Sequence, residues 1–132
     1  MSDPSLELQA AIVAALKGNS PSIVGGRIYD DVPAGAAFPY VSMGDCQVLP
    51  DKSGCIDGVE VYPQIDVWSR AVGYPEVKGI TKEVLAVLDD QPLTVGGFNV
   101  VVFEVESVNY LRDPDGLTHH AAITFHGIIT PA

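Results

Sequence analysis

The sequence predicts an α+β domain in which a mainly antiparallel sheet carries two helices on its apolar face. Three observations predict this class: two segments with helical periodicity, several segments in which apolar and polar residues alternate, and a Pro-Asp-Gly turn between the last two of those segments. The chain has 132 residues, which is the usual size of one domain, so we expect residues 1–132 to fold as a single unit.

The two predicted helices run from Ser5 to about Lys17 and from Tyr74-Pro75-Glu76 to about Leu88. Ser2 or Asp3 can cap the first, and Gly18-Asn19 ends it. Each helix carries an apolar stripe at spacings of three and four residues, made by Leu8, Ile12, Ala15 and Leu16 in the first and by Val77, Ile80, Val84 and Leu88 in the second.

Longer strands are predicted at residues 40–49, 59–70, 99–111 and 117–130, and shorter ones at residues 28–29 and 93–95. Pro63 cannot donate to a ladder, so we expect an edge or a bulge there. The glycines at 25–26 indicate a turn with positive φ. The residues expected on the core face are Val59, Val61, Ile65 and Val67 in the second long strand, Val101, Phe103 and Val105 in the third, and Leu117, Ala121, Ile123, Phe125 and Ile129 in the fourth.

The same alternation places Tyr62 and Trp68 on the face away from the predicted core. Tyr, Trp and Arg are enriched where subunits meet, so Tyr62, Trp68 and Arg70 are the candidate residues of a subunit interface. Cover by a loop, or simple scattered exposure, explains the two aromatic side chains equally well from sequence.

Composition excludes several other functions. A net charge of −10 disfavours tight binding to duplex DNA, which needs many Lys and Arg contacts to phosphates. His119 and His120 are adjacent in a strand and point to opposite faces, and His126 lies too far along, so no metal site is expected. We find no nucleophile with a base and therefore predict no catalytic or cofactor-binding residues. Cys46 and Cys55 are expected to be reduced thiols.

Several landmarks together resemble the tail-completion or tail-terminator family of siphophages, which also occurs in prophages and gene transfer agents. The resemblance covers nearly the whole chain. It rests on residues 24–29 (VGGRIY), 37–41 (AFPYV), 65–70 (IDVWSR), 92–94 (PLT) and 111–116 (LRDPDG), with Leu8-Gln9 in the first helix. Each landmark is a turn or strand feature, and none is a catalytic motif.

The resemblance implies a fold similar to the lambda tail terminator and a structural, non-enzymatic role. It implies a ring, a homohexamer, at the head-proximal end of the tail tube, which stops tube growth, joins tail to head and lets DNA pass. The implied partners are further copies of the chain, the tail tube protein and a head-side connector or stopper, without a membrane. The chain would be cytoplasmic during assembly and then part of a particle. Another head-closure or tail-tube component is the nearest alternative, and a small enzyme or ligand-binding domain with a carboxylate cleft is a more distant one.

Overall fold

Two helices lie on the same side of a five-stranded sheet in the computed structural model, which describes residues 1–19, 21–51 and 57–132. The elements, in chain order, are α1 (Ser5–Lys17), a 3-10 turn (Ile23–Gly26), β1 (Ile28–Tyr29), β2 (Tyr40–Asp51), β3 (Gly58–Ser69), α2 (Pro75–Leu88), β4 (Phe98–Arg112) and β5 (His119–Pro131). Cys55, expected to be a reduced thiol, lies outside the described residues.

The strand order in the sheet is β1-β2-β3-β5-β4. The β2–β3, β3–β5 and β5–β4 neighbours are antiparallel, and only the two-residue β1 runs parallel to its neighbour β2. The α+β prediction with a mainly antiparallel sheet is therefore confirmed. β3 lies at the centre of the sheet. Because both helices pack on the same side of the sheet, one face of β3 contacts the helices and the other faces solvent.

The core forms between the helix stripes and the inner side of the sheet. Leu8, Ile12 and Leu16 of α1 and Val77, Val84 and Leu88 of α2 join the inward residues of β3 and β5 in one apolar cluster. Among those strand residues, Phe125 is fully buried and stacks on Phe103 of β4 with ring centroids 5.1 Å apart. Burying an aliphatic or aromatic side chain of this size contributes about 1.5–3 kcal/mol, so this cluster is the main source of stability.

The predicted glycine turn and the proline that opens α2 are present, but the predicted cap of α1 is wrong, because Pro4 is the N-cap residue and no side chain makes the cap hydrogen bond. Asp3 lies one position earlier, and its carboxylate accepts a hydrogen bond from Ser5 N–H over 2.9 Å. Gly25 and Gly26 have φ values of +61° and +81°, which confirms the turn with positive φ. Pro75 occupies the first turn of α2, where its missing N–H leaves no hydrogen bond unmade.

Pro63 lies opposite a bulge in the neighbouring strand. Met43 pairs with Ile65 and Cys46 pairs with Pro63, so β2 has one residue more than β3 in this interval. Of the two positions expected for Pro63, the bulge is confirmed and the edge is wrong, because β3 is the central strand. The alternation of β3 is unaffected, since the extra residue belongs to β2.

Three sequence predictions are corrected at the ends and edge of the sheet. Residues 93–95 are not a strand; Phe98 N–H donates to the Val95 carbonyl over 3.1 Å, and this turn precedes β4. Val101 is 65% exposed because a register shift between Val100 and Val102 turns it away from the core. Leu117 is also 65% exposed, because the connection between β4 and β5 extends to residue 118.

Strand β4 forms one edge of the sheet, and the residues after α2 cover its middle. Val105 N–H donates to the Asp89 carboxylate over 2.8 Å, and Asp90 N–H donates to the Phe103 carbonyl over 3.0 Å. These bonds take the place of a neighbouring strand at two consecutive outward positions of β4.

Candidate subunit interface

The outer face of the sheet, opposite the helices, holds all three candidate interface residues. In β3 the inward positions are occupied by Val59, Val61, Ile65 and Val67, which are buried, whereas Tyr62 and Trp68 are partly exposed. Trp68 pairs with Tyr40 of β2 on one side and with His120 of β5 on the other. The parity predicted for Trp68 is therefore confirmed.

Trp68 is held between two rings of its own subunit. Its indole stacks on His120, with centroids 3.8 Å apart and planes inclined by 8°, and lies 6.4 Å from the Tyr40 ring. Its Nε1–H donates to the Ser42 hydroxyl over 3.0 Å. A half-buried indole N–H needs such an acceptor, so the ring is held in place and only part of its surface is exposed.

A buried carboxylate lies beside this aromatic cluster. Asp66 is 6% exposed and accepts hydrogen bonds from His120 Nε2 over 2.6 Å and from Gln64 Nε2 over 2.9 Å. A methyl group added at Gly44 would lie 2.6 Å from the other Asp66 oxygen, so a glycine in the β2 bulge leaves the space for that oxygen. This network is not predictable from the sequence, because its members lie on three different strands.

Arg70 follows β3 and lies at a cleft in the loop between β1 and β2. Its guanidinium lies 4.4 Å over the Phe38 ring, and its Nε–H donates to the Thr118 hydroxyl over 3.1 Å. The cleft, about 520 Å³ in volume, has Phe38, Tyr40 and Arg70 among its lining residues. Burial raises the pKa of Tyr40, and Arg70 partly opposes that change.

The β4–β5 connection positions Arg70. Asp115 accepts hydrogen bonds from the N–H groups of Leu117 and Thr118 and from the Thr118 hydroxyl, and these bonds lower the pKa of Asp115. The same bonds extend the predicted turn, in which Gly116 N–H donates to the Asp113 carbonyl, and explain why β5 begins later than expected. Asp115 also lies 3.9 Å from Arg70 Nη2, which is too long for a hydrogen bond.

Tyr62 belongs to a second region of the outer face. It precedes Trp68 by six positions in β3, which separates the two residues by roughly 20 Å. Its ring centroid lies 5.0 Å from that of His126, which is 3.4 Å from a Glu60 carboxylate oxygen. Desolvation, followed by the charges of Glu60 and Glu106, raises the pKa of Tyr62. Trp68 and Arg70 therefore belong to one region, since Tyr40 lies beside Trp68 and lines the same cleft as Arg70. Tyr62 lies in another region, near the acidic residues Glu60 and Glu106.

The histidines lie apart, as the sequence predicted. His119 is buried on the core face and accepts a hydrogen bond from Arg112, whereas His120 and His126 are on the outer face. Within residues 1–19, 21–51 and 57–132, no three His, Cys, Asp or Glu side chains are arranged to hold a metal ion. Neither helix in those ranges is long and apolar enough to cross a membrane.

The sequence of the chain matches a known family over most of its length. The family model "Tail completion protein gp17" matches residues 10–130. The chain belongs to the gp17 family of tail completion proteins. The match includes every landmark of residues 24–116 on which the resemblance was based, so the predicted family is confirmed and the protein is a structural tail-completion protein.

Two solved structures share the fold of this gp17-family chain. A chain of the virion of a native gene transfer agent particle superposes with a TM-score of 0.89 at 22% identity, over 98% of this chain and 99% of that one. The gp17 protein of bacteriophage SPP1 superposes with a TM-score of 0.62 at 24% identity, over 93% and 88% of the two chains. A search of curated protein sequences finds no match.

Proposed function

We propose that this protein forms a ring of six copies at the head-proximal end of a phage-like tail tube. The ring ends polymerisation of the tube, joins the tail to the head and leaves a passage for DNA. Family membership across residues 10–130 is the observation that carries this proposal. A tail-completion role needs a surface toward the tube and another toward the head, and a ring provides both at once.

The outer face supplies the surface by which copies meet. A head-to-tail ring uses two different patches on each subunit, because each copy contacts its two neighbours differently. Trp68 and Arg70 lie in one region and Tyr62 in another, so the three candidate residues fit the two halves of such a contact. Tyr, Trp and Arg side chains also contribute most per residue where proteins associate.

Charge fits a passage through which DNA moves without being held. The chain carries 17 acidic and 7 basic residues, so a duplex inside a ring of six copies meets net repulsion. Little counterion release is then available to drive tight binding. The partners under this proposal are the neighbouring copies, the tail tube protein below and a head-side connector or stopper above, in a chain that is made in the cytoplasm and ends in the particle.

Electron cryo-microscopy of purified particles that contain this chain tests the proposal. The expected result is sixfold density that fits this fold at the upper end of the tube, between tube and head. A second measurement is deletion of the gene, which should give overlong tails and heads without tails. Density for the chain within the tube itself, or on the head side of the connector, would show a different component of the particle. An absence of the chain from particles would overturn a structural role there.

A further inference from the structure

The outer face of the sheet has an exposed guanidinium, that of Arg70, in one region and two exposed carboxylates, those of Glu104 and Glu106, in another. We propose that these regions bind each other between neighbouring copies of the chain, with a carboxylate of Glu104 or Glu106 in one copy bound by the Arg70 guanidinium of the next. The inference rests on the ring described under Proposed function and names the contact that closes it.

Arg70 has the geometry of a prepared anion-binding group. Stacking on Phe38 and the hydrogen bond from Nε to Thr118 fix the plane of the guanidinium, although 54% of the side chain remains exposed. The nearest carboxylate, that of Asp115, is 3.9 Å from Nη2 and is already occupied by the turn. The terminal N–H groups therefore make no short hydrogen bond to a side chain of the described residues, and a planar guanidinium binds a carboxylate through two parallel hydrogen bonds.

The other two guanidinium groups of the described residues, and the Lys78 ammonium, are less suited to this contact. Arg27 donates to the Pro39 carbonyl over 2.9 Å. Lys78 and Arg112 lie over the Tyr74 ring, and Lys78 also lies over that of Tyr110, on the side of the sheet where α2 packs. Arg70 is consequently the exposed guanidinium on the outer face of the described chain.

Glu104 and Glu106 form the complementary region. Both are exposed, and neither forms an ion pair with the residues that the structure describes. Glu104 pairs with His126 across the β4–β5 ladder, and Glu106 occupies the register shift between Val105 and Ser107. After desolvation and the charge of Glu60, the charge of Glu106 contributes to raising the pKa of Tyr62, a candidate interface residue on the outer face.

The positions of the two regions suit a contact that repeats around a ring. The cleft at Arg70 lies at the end of the central strand β3, beside the loop that precedes β2, whereas Glu104 and Glu106 lie in the edge strand β4. A patch on one copy that binds a different patch on the next generates a head-to-tail series, which closes when the rotation between copies is right. Subunits with a charge of −10 repel one another, so a contact of opposite charges at each boundary offsets part of that repulsion.

Charge reversal and its rescue test the contact in the full-length chain. The single variants are Arg70→Glu, Glu104→Arg and Glu106→Arg, and the double variants combine Arg70→Glu with each glutamate change. Lys82→Glu and Glu83→Arg, at exposed positions of α2, are controls with the same change of charge. Association is measured by sedimentation velocity over a concentration series, and ring formation by counting joined particles in producing cells that lack the native copy. Circular dichroism confirms that each variant is folded.

We expect Arg70→Glu and at least one glutamate variant to weaken association at least about tenfold, while both controls behave as the natural chain. The matching double variant should recover most of the loss, because the pair is restored with its charges exchanged. Rings that tolerate Arg70→Glu, or double variants that remain as defective as Arg70→Glu alone, would overturn this contact and leave the ring intact as a proposal. Failure of the natural chain to form a ring in particles would instead overturn the proposed function.

Discussion

Asp66→Ala should destabilise the subunit by about 2–3 kcal/mol. The substitution removes the acceptor of the hydrogen bonds from His120 and Gln64, which measure 2.6 and 2.9 Å. The side chains of Asp66 and His120 are only 9% and 14% exposed, so water cannot fully replace the lost partner. A hydrogen bond to a charged group contributes about 1.5–3 kcal/mol. The substitution also leaves the Gln64 amide without its acceptor, which adds to the loss of stability.

Urea denaturation followed by fluorescence measures this loss. Trp68 is the single tryptophan of the chain and stacks directly on His120, so its emission reports both unfolding and the state of this network. Glu104→Ala removes an exposed carboxylate from the same face and serves as the control, with an expected change within about 0.5 kcal/mol. His120→Ala and the double variant complete a cycle, in which the coupling between the two residues should exceed about 1 kcal/mol.

A free energy of unfolding for Asp66→Ala within about 0.5 kcal/mol of the natural chain would refute this reasoning. It would mean that His120 and Gln64 find other acceptors on the open face. A large loss without coupling to His120 would instead place the effect in packing around the β2 bulge, where Gly44 makes room for the carboxylate.

Four further predictions concern the β2 bulge, the β4–β5 turn, Trp68 and the binding of DNA. Gly44→Ala should cost about 1–3 kcal/mol in urea denaturation because its new methyl group meets Asp66, whereas Gly79→Ala, with open space at its site in α2, should stabilise by about 0.5–1 kcal/mol. In the folded chain the pKa of Asp115 is below its ordinary value of 3.8, so the stability that Asp115 contributes is present above that value and is lost as pH falls through the lower pKa of the folded state. In Asp115→Asn the free energy of unfolding should therefore fall less steeply with decreasing pH in the acid range. An unchanged slope there would contradict this role of Asp115. Trp68→Ala should reduce assembly in particles more than it reduces the melting temperature of the subunit, and an equal loss of both would mean that the indole acts chiefly within its own subunit. In filter binding at low salt, the chain should retain no duplex DNA tightly, since salt-sensitive binding would require a basic surface built from several copies.

Local patterns in the sequence were sufficient for the helices and for the central strand. The stripe from Leu8 to Leu16 and the alternation from Val59 to Val67 are each set by neighbours along the chain, and both faces were predicted correctly. The faces of strand β4 were harder to predict from sequence because two register shifts interrupt its alternation. Strict alternation places Val101 in the core, whereas the structure exposes it. A bulge depends on the partner strand, which a single segment does not reveal.

The candidate interface was predictable only in outline. Parity placed Tyr62 and Trp68 on the outer face, but it could not bring Asp66 to His120, because 54 positions separate them and the pairing of β3 with β5 decides their contact. Arg70 was a candidate by residue type alone. Its orientation over Phe38 depends on a loop and on a turn that lie far from it in sequence.

The cover over the middle of β4 has a consequence for the fate of newly made chains. A free strand edge is a template on which any extended peptide can add, and the products of such addition grow without limit. By occupying Val105 N–H and the Phe103 carbonyl with its own Asp89 and Asp90, the chain removes part of that template before it meets another copy. In the proposed ring, association between copies is then left to contacts of side chains, which recognise one orientation of the neighbour, and not to the addition of strands.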